Sequence, residues 1–423
     1  MTPSPVYLDY NATTPVDPEV AEAMLPFLTQ RFGNPSSGHP YGAEARAAVE
    51  AARRQVASLL SARPEEVVFT SGGTEGSNTV VQGVARLLRG KGRHVVTSAI
   101  EHPAVLEPCA LLEEDGWAVT RVGVDGEGRV DPAEGAAAIT DGTVLVSVMH
   151  ANNEVGTLQE IAEMARLAHE RGVLVHTDAA QSVGKVPVDV AALGVDFLTL
   201  AGHKLYAPKG VGALWIRSGL ALPPLLRGAS HEGGRRAGTE NVLEIVGLGK
   251  ACEVAARRLA SDARRFEELR ERLAEELAHE VHGLRRNSPR LRCLPNTLSL
   301  SFPGVDASAL LAEVGEKVAA SAGAACHAAG VEVSSGLRAM GVPVAMGTVR
   351  FSVGRGTTPA MVDEAARVVG EAVRGMRPEA ATAPAVTTGD ERVRLTRFTR
   401  GMGCACKLRP QDLEQVLRSL PKG

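Results

Sequence analysis

Between residues 65 and 215 the sequence alternates short β-rich runs with longer alanine-rich stretches, and this alternation restricts the fold more than any other feature. Five apolar runs predict strands, at residues 67–70, 94–97, 144–147, 174–177 and 197–200. Apolar strands that are separated by helices are typical of a parallel sheet covered on both faces. The sequence therefore predicts an α/β fold.

Polar or glycine-rich residues follow each predicted strand. They lie at 72–74, 101–102, 152–154, 178–181 and 202–204. Because ligands of parallel sheets bind at the carboxyl ends of the strands, these five segments should meet at one crevice.

The size and charge of the chain favour an enzyme that acts on a small molecule. Its 423 residues allow two or three folding units of roughly 100 to 200 residues each. The 46 basic and 49 acidic residues give a net charge of −3 without a long block of one sign, which argues against a nucleic-acid or anionic-membrane surface. No apolar run approaches the ~20 residues of a membrane span, and the N-terminus does not resemble a secretory signal, so a cytoplasmic protein is expected. Six cysteines are too few for a disulfide framework.

The second half of the chain predicts a smaller α+β unit. A long helix is expected from about 241 to 281, a strand at 296–302, and helices at 307–314 and 361–373. The predicted organisation is a large domain at 13–258, a small domain formed by 1–12 and 259–378, a linker at 379–389, and a tail at 390–423.

Three of the strand ends carry complementary chemistry. The glycine-rich turn at 72–78 opens a helix, whose free N–H groups and dipole can bind a phosphate, although such a turn is as often only tight packing. Lys204 follows a strand, whereas the seven other lysines lie in less suitable contexts. Asp178 ends a strand and needs a cationic partner, because a lone buried carboxylate is costly. A phosphate site, a lysine and an aspartate are the three anchors of pyridoxal phosphate (PLP), for its phosphate, aldehyde and ring nitrogen.

The motifs at these positions resemble those of cysteine desulfurases, which have the class-V aminotransferase fold. The similar segments are LDYNATTP at 8–15, TSGGTE at 70–75, IEHP at 100–103, NNEVG at 152–156, HTDAAQS at 176–182 and GHK at 202–204. The resemblance extends in order from residue 7 to about 375. It implies a PLP-dependent fold of type I, with a mainly parallel sheet in the large domain and a smaller α+β domain.

The resemblance also implies roles for individual residues. Lys204 would bind the cofactor covalently, and His102 would stack on its ring. The remaining cofactor ligands implied are Gly73, Thr74 and His203 for the phosphate, Asn153 and Gln181 for ring substituents, Asp178 for the ring nitrogen, and Thr239 for the phosphate of the neighbouring subunit of a homodimer. Asn11 and Arg350 are expected to bind the substrate, with Arg355 as a second candidate for its carboxylate. Cys326 matches the nucleophilic cysteine, whereas Cys109, Cys252 and Cys293 are expected to be buried, inert thiols.

The expected reaction removes sulfur from L-cysteine, or selenium from L-selenocysteine. Lys204 or His102 would take the Cα proton, Cys326 would attack the chalcogen, and L-alanine would leave. Ala201 departs from the family pattern, which often has a serine before GHK, and so does the segment 228–234. The segments at 201–204, 323–327 and 351–355 also resemble those of selenocysteine lyases, so sulfur and selenium both remain open. An aminotransferase, which would not need Cys326, and a non-catalytic scaffold that presents the tail are the alternatives.

The tail resembles the N-terminal segment of selenophosphate synthetase at 393–397 and 401–408. In that family the first cysteine and the lysine, here Cys404 and Lys407, are the reactive pair. A neighbouring lysine can lower the pKa of a thiol, so Cys404 is a candidate chalcogen acceptor, and selenophosphate synthetase is a candidate partner. The alternative is an inert appendage. A metal site is not expected, because no second cysteine pair completes one.

Overall fold

The computed structural model describes residues 4–377, apart from 323, 328–329 and 344–345, and describes only the backbone of 324–327 and 330–333. The described residues up to Arg374 belong to one compact unit. The domain boundaries at 12/13 and 258/259 therefore remain predictions, and the linker and tail lie outside the described residues. None of the described helices is long and apolar enough to cross a membrane.

The structure contains short strands and mostly longer helices in alternation. The strands are β1 (Val6–Tyr7), β2 (Val67–Thr70), β3 (His94–Ser98), β4 (Ala118–Val122), β5 (Thr143–Ser147), β6 (Leu174–Asp178), β7 (Phe197–Ala201), β8 (Gly212–Ile216), β9 (Arg285–Arg286), β10 (Thr297–Pro303), β11 (Val318–Ala319), β12 (Ser321–Ala322), β13 (Ala324–His327), β14 (Gly330–Val333) and β15 (Met346–Ser352). The α-helices are α1 (Pro18–Met24), α2 (Pro26–Thr29), α3 (Pro40–Leu59), α4 (Gly73–Leu88), α5 (Pro103–Glu114), α6 (Pro132–Ala137), α7 (Ile161–His169), α8 (Val190–Leu193), α9 (Val242–Glu280), α10 (Ala307–Val314), α11 (Ser335–Ala339) and α12 (Pro359–Met376).

The central sheet has seven strands in the order β2-β8-β7-β6-β5-β3-β4. Strand β8 is antiparallel to both its neighbours, and the pairs from β7 to β4 are parallel. The mainly parallel sheet and its five predicted strands are confirmed, each within one residue at either end. Strands β4 and β8 were not predicted.

Both faces of this sheet are covered, as its apolar strands require. Val96 of β3 belongs to one buried cluster together with residues of α3 and α9. Its neighbour Val95 belongs to a second buried cluster with residues of α4 and α5. Because side chains alternate along a strand, the two clusters lie on opposite faces of the sheet.

The second sheet is antiparallel and has the order β12-β15-β10-β9. The predicted long helix, strand and two further helices of this region are confirmed as α9, β10, α10 and α12. The N-terminal segment runs along this part of the molecule, because β1 pairs with β11 and Asp9 forms a bridge with Ser352. It then reaches the end of β7, where Thr14 donates from its backbone to the His203 carbonyl over 3.0 Å.

Candidate active site

The carboxyl ends of the parallel strands and the N-terminal segment enclose a cavity of about 310 Å³. It is lined by ten of the predicted site residues, namely Asn11, Gly73, Thr74, His102, Asn153, Asp178, Gln181, His203, Lys204 and Arg350. The structure therefore brings together residues that the sequence separates by up to 339 positions (350 − 11).

Helix α4 begins at the cavity wall with Gly73, and its first N–H groups have no partner within the helix. Its first turn packs closely on β7, since a Cβ on Gly76 would lie 2.7 Å from Thr199 Cγ2. Gly72 adopts a φ of 154°, which favours glycine. The 16-residue helix thus directs the positive end of its dipole at the cavity, as an anion site needs.

Lys204 lies in a short 3₁₀ turn, Gly202–Lys204, directly after β7. Its Nζ donates to the backbone carbonyls of Asn11 and Ala12, over 2.5 and 2.8 Å. Burial, assisted by the nearby charge of Arg350, lowers the pKa of Lys204 to about 8. Roughly a tenth of this amine is therefore neutral and nucleophilic at pH 7, far more than for an ordinary lysine.

Asp178 is the last residue of β6 and is 7% exposed. Its Oδ1 accepts a hydrogen bond from the Ala180 backbone over 2.9 Å. Burial nevertheless raises the pKa of Asp178, because the carboxylate is desolvated. A cation held in the cavity, such as a protonated ring nitrogen, would offset this cost.

His102 caps the N-terminus of α5, and its Nδ1 accepts from the Ala104 backbone over 3.1 Å. Burial lowers the pKa of His102, and the nearby Lys204 lowers it further. The ring is thus neutral at pH 7, with its proton on Nε2. The flat ring can stack on a planar ligand, whereas the lone pair of its Nδ1 already accepts the Ala104 hydrogen bond.

His203 lines the cavity beside Lys204, and its Nδ1 contacts Thr13 Oγ1 at 3.2 Å. Burial, followed by the charge of Lys204, lowers the pKa of His203 to about 4. This residue can therefore hydrogen-bond an anion but does not supply a positive charge.

Arg350 projects from β15 and is 8% exposed. Its Nη1 donates to the Asn153 carbonyl over 2.9 Å, and its Nη2 pairs with Asp9 over 2.7 Å. Its Nε is buried and has no hydrogen-bond partner within the described part of the chain. Arg350 lines the cavity, where a guanidinium can bind a carboxylate.

Arg355 does not line the cavity. It forms ion pairs with Asp17 and Asp262, over 2.9 and 2.8 Å, and its guanidinium lies 4.1 Å from the centre of the Tyr206 ring. These contacts hold it in the protein framework, so Arg350 is the better placed of the two predicted carboxylate ligands.

Cys326 lies on β13, which pairs with β14 in an antiparallel hairpin. Both ends of this segment lie next to cavity residues. Before it, Ser321 of β12 is paired in register with Arg350, and after it, Ser334 donates from its hydroxyl to Glu154 over 2.5 Å. The hairpin that carries Cys326 therefore begins and ends beside the cavity.

The other predicted residues lie elsewhere. Thr239 is exposed and does not line the cavity. Cys109 and Cys252 are buried and Cys293 is largely buried, and burial raises their pKa values to about 12, 12 and 11. Their predicted burial is confirmed. Cys404 and Lys407 lie outside the described residues.

Sequence reasoning missed two charged residues of the site. Asp9, which pairs with Arg350, lies in the motif at 8–15 but was not singled out. Lys185 was counted among the seven lysines in less suitable contexts, yet its Nζ donates to Gln181 Oε1 over 2.7 Å. Its spacing of four residues from Gln181 was the available signal.

Comparison with known proteins agrees with this geometry. The family model described as "Aminotransferase class-V" matches residues 6–364. A "Cysteine desulfurase IscS" of Dictyoglomus turgidum is 47% identical over 356 residues, which cover 84% of this chain and 90% of the relative. A solved structure titled "NIFS-LIKE PROTEIN" is 38% identical with a TM-score of 0.82, covering 87% of this chain and 98% of that one. Another, "SspA in complex with cysteine", is 35% identical with a TM-score of 0.73, covering 82% and 98%. The chain therefore belongs to the class-V aminotransferase family, among the cysteine desulfurases.

Proposed function

We infer that this protein is a PLP-dependent cysteine desulfurase, which converts L-cysteine and an enzyme thiol into L-alanine and an enzyme persulfide. The observation that carries this inference is the convergence of Lys204, Asp178 and Arg350 on one cavity. The similarity to enzymes named cysteine desulfurase supports it.

The residues present fit the cofactor. The N-terminus of α4, with Gly73 and Thr74, suits its phosphate, and the costly carboxylate of Asp178 suits its protonated ring nitrogen. His102 presents a flat, neutral ring for stacking. When bound, PLP withdraws electrons from the substrate and makes its Cα proton acidic.

The substrate carboxylate binds Arg350, which lines the cavity. Asn11, the other predicted substrate ligand, has its amide already bonded, because Nδ2 donates to Thr297 Oγ1 over 2.8 Å and Oδ1 accepts from Asn296 over 2.9 Å. Its backbone carbonyl instead holds Lys204. Asn11 therefore shapes the site and orients the lysine.

Lys204 is the better placed of the two candidate bases for the Cα proton. Its pKa of about 8 leaves part of the amine free to accept a proton. The Nδ1 lone pair of neutral His102 is occupied by the Ala104 N–H, so this ring can accept no further proton without breaking that bond.

Cys326 supplies the thiolate that attacks the substrate sulfur. An S–S bond forms and the C–S bond of the substrate breaks, and its electron pair stays with the carbon, which gains a proton to give alanine. The two sulfurs are oxidised to a persulfide and the carbon is reduced, so no external oxidant or reductant is needed.

The finer features of the proposal rest on the sequence. A homodimer would bring Thr239 to the phosphate of the neighbouring subunit. Exposure of Thr239, with the adjacent Arg236 paired to Glu75 of α4 over 2.9 Å, supports this position. A sulfur-acceptor protein, a cytoplasmic location and activity on L-selenocysteine are proposed with it, and the tail at 390–423 motivates the last.

The Cys326→Ala variant tests the proposed function. It should lose alanine formation from L-cysteine while it keeps the visible absorbance of bound PLP, and Cys293→Ala should leave the rate within about twofold, since its thiol is buried and inert. Alanine production by Cys326→Ala at the wild-type rate would refute Cys326 as the nucleophile. Formation of a keto acid instead of alanine would favour an aminotransferase. Parallel assays with L-selenocysteine measure the preference between the two substrates.

A further inference from the structure

A buried lysine behind the cavity has no role in the mechanism above. Lys185 is 5% exposed and follows β6 in a turn, where its backbone N–H donates to the Ser182 carbonyl over 3.0 Å. Removing an amine from water is costly unless its donors are satisfied, so a buried lysine needs a reason.

The amine of Lys185 bonds two residues of the site rather than a carboxylate. Its Nζ donates to Gln181 Oε1 over 2.7 Å and to Asn11 Oδ1 over 3.3 Å. Burial, with the positive charges of Lys204 and Arg350, holds the pKa of Lys185 well below its usual value. A neutral amine donor is consistent with these two neutral acceptors.

These bonds fix which end of the Gln181 amide faces the site. Because its oxygen accepts from Lys185, its Nε2 is the group that donates to the Asn11 carbonyl, over 3.0 Å. That carbonyl also accepts from Lys204. The reverse orientation would bring two carbonyl oxygens together. Gln181 lines the cavity, and its amide nitrogen carries a second N–H that can donate to a ligand there.

We propose that Lys185 is a positioning residue that holds the Gln181 amide as a donor toward the ionised ring oxygen of the cofactor. The proposal rests on the proposed function, since it requires PLP in the cavity. This role explains why the Lys185 amine is buried against Gln181 and Asn11 instead of lying at the surface.

Binding of PLP to the apoprotein, measured by absorbance and equilibrium dialysis, tests this role. Lys185→Met fills similar space without a buried amine and so should fold. It should bind PLP roughly tenfold more weakly, which corresponds to about 1.4 kcal/mol. The pH midpoint of the visible band should rise, because the ionised ring oxygen loses a donor. Lys185→Gln, which keeps an amide donor, should fall between wild type and Lys185→Met. The matched control is Lys91→Met, in an exposed loop, which should change neither quantity.

A double-mutant cycle separates positioning from general stability. If Lys185 acts through Gln181, Lys185→Met should weaken binding much less in a Gln181→Ala background than alone. Wild-type affinity and pH midpoint in Lys185→Met, or losses that simply add in the double variant, would overturn the proposal. Failure of the wild-type apoprotein to take up PLP would instead overturn the proposed function.

Discussion

Charges of opposite sign act on the amine of Lys204. Burial and Arg350 lower its pKa, whereas Asp9 and Asp178 raise it, and the outcome is about 8. Only the neutral amine attacks an aldehyde, so covalent uptake of PLP by the apoprotein should accelerate with rising pH, with a midpoint near 8. Arg350→Gln removes a positive neighbour and should move the midpoint to higher pH, and Asp9→Asn should move it lower. Stopped-flow absorbance across pH measures this.

The Lys204→Ala apoprotein provides the baseline for that experiment, since it should show no covalent phase after borohydride reduction and mass analysis. Equal midpoints in the wild type and both charge variants would mean that neither Asp9 nor Arg350 acts on the amine.

The two candidate carboxylate ligands should respond differently to the same substitution. Arg350→Lys loses the forked donor group, so KM for L-cysteine should rise at least about tenfold with PLP affinity little changed. Arg355→Lys disturbs the ion pairs with Asp17 and Asp262, so it should lower the melting temperature and leave KM within about threefold. Steady-state kinetics and thermal melts on both variants decide this, and the opposite pattern would make Arg355 the ligand.

At the scale of elements, the close contact between α4 and β7 determines the phosphate site. Gly76→Ala places a Cβ 2.7 Å from Thr199 Cγ2, so the helix must move away from the strand. We expect the unfolding free energy to fall by about 1–3 kcal/mol and PLP to bind more weakly. Gly90→Ala, just beyond α4, meets nothing within 4 Å and is the matched control for denaturant melts and PLP titration. Equal PLP affinity in Gly76→Ala and wild type would show that the phosphate site does not depend on the contact between α4 and β7.

The strands that were predicted in the central sheet are short runs rich in apolar and β-branched residues. Strands β2, β3 and β5 to β7 are buried along their whole length or nearly so, and they were predicted from sequence. Strand β4 is mostly exposed, so its sequence gives only a weak signal. Strand β8 is fully buried and apolar, so the same signal was present there but was overlooked.

The residues of the site also divide into those that local sequence identifies and those that only the folded structure identifies. Lys204 and Asp178 were predictable because the carboxyl end of a parallel strand fixes their location from local sequence. The pairing of Asp9 with Arg350 joins residues 341 positions apart, and no local pattern encodes such a contact. The motif resemblance identified Arg350, but its position at the cavity depends on the packed structure.

At the scale of the whole molecule, the site lies where the central sheet, the second sheet and the N-terminal segment meet. The side chain of Asn11 bonds Asn296 and Thr297, beside and within β10, and its backbone bonds Lys204 after β7. Substitutions that loosen these contacts should therefore affect both substrate binding and the cofactor lysine.

The tail at 390–423 lies outside the described residues, and the described residues that line the cavity all lie between Asn11 and Arg350. Deleting residues 379–423 should thus leave kcat and KM for alanine formation within about twofold of the full chain.

If the resemblance to selenophosphate synthetase reflects function, Cys404 should receive sulfur or selenium from Cys326, because tethering raises the local acceptor concentration to about millimolar. Mass spectrometry after a single turnover should then find the adduct on Cys404 in the full chain and no adduct on Cys404 in Cys326→Ala. Cys252→Ala, which removes a buried core thiol, serves as the control and should leave the Cys404 adduct in place. An adduct confined to Cys326 in the full chain, with unchanged delivery to an acceptor protein after deletion, would show that the tail takes no part in transfer.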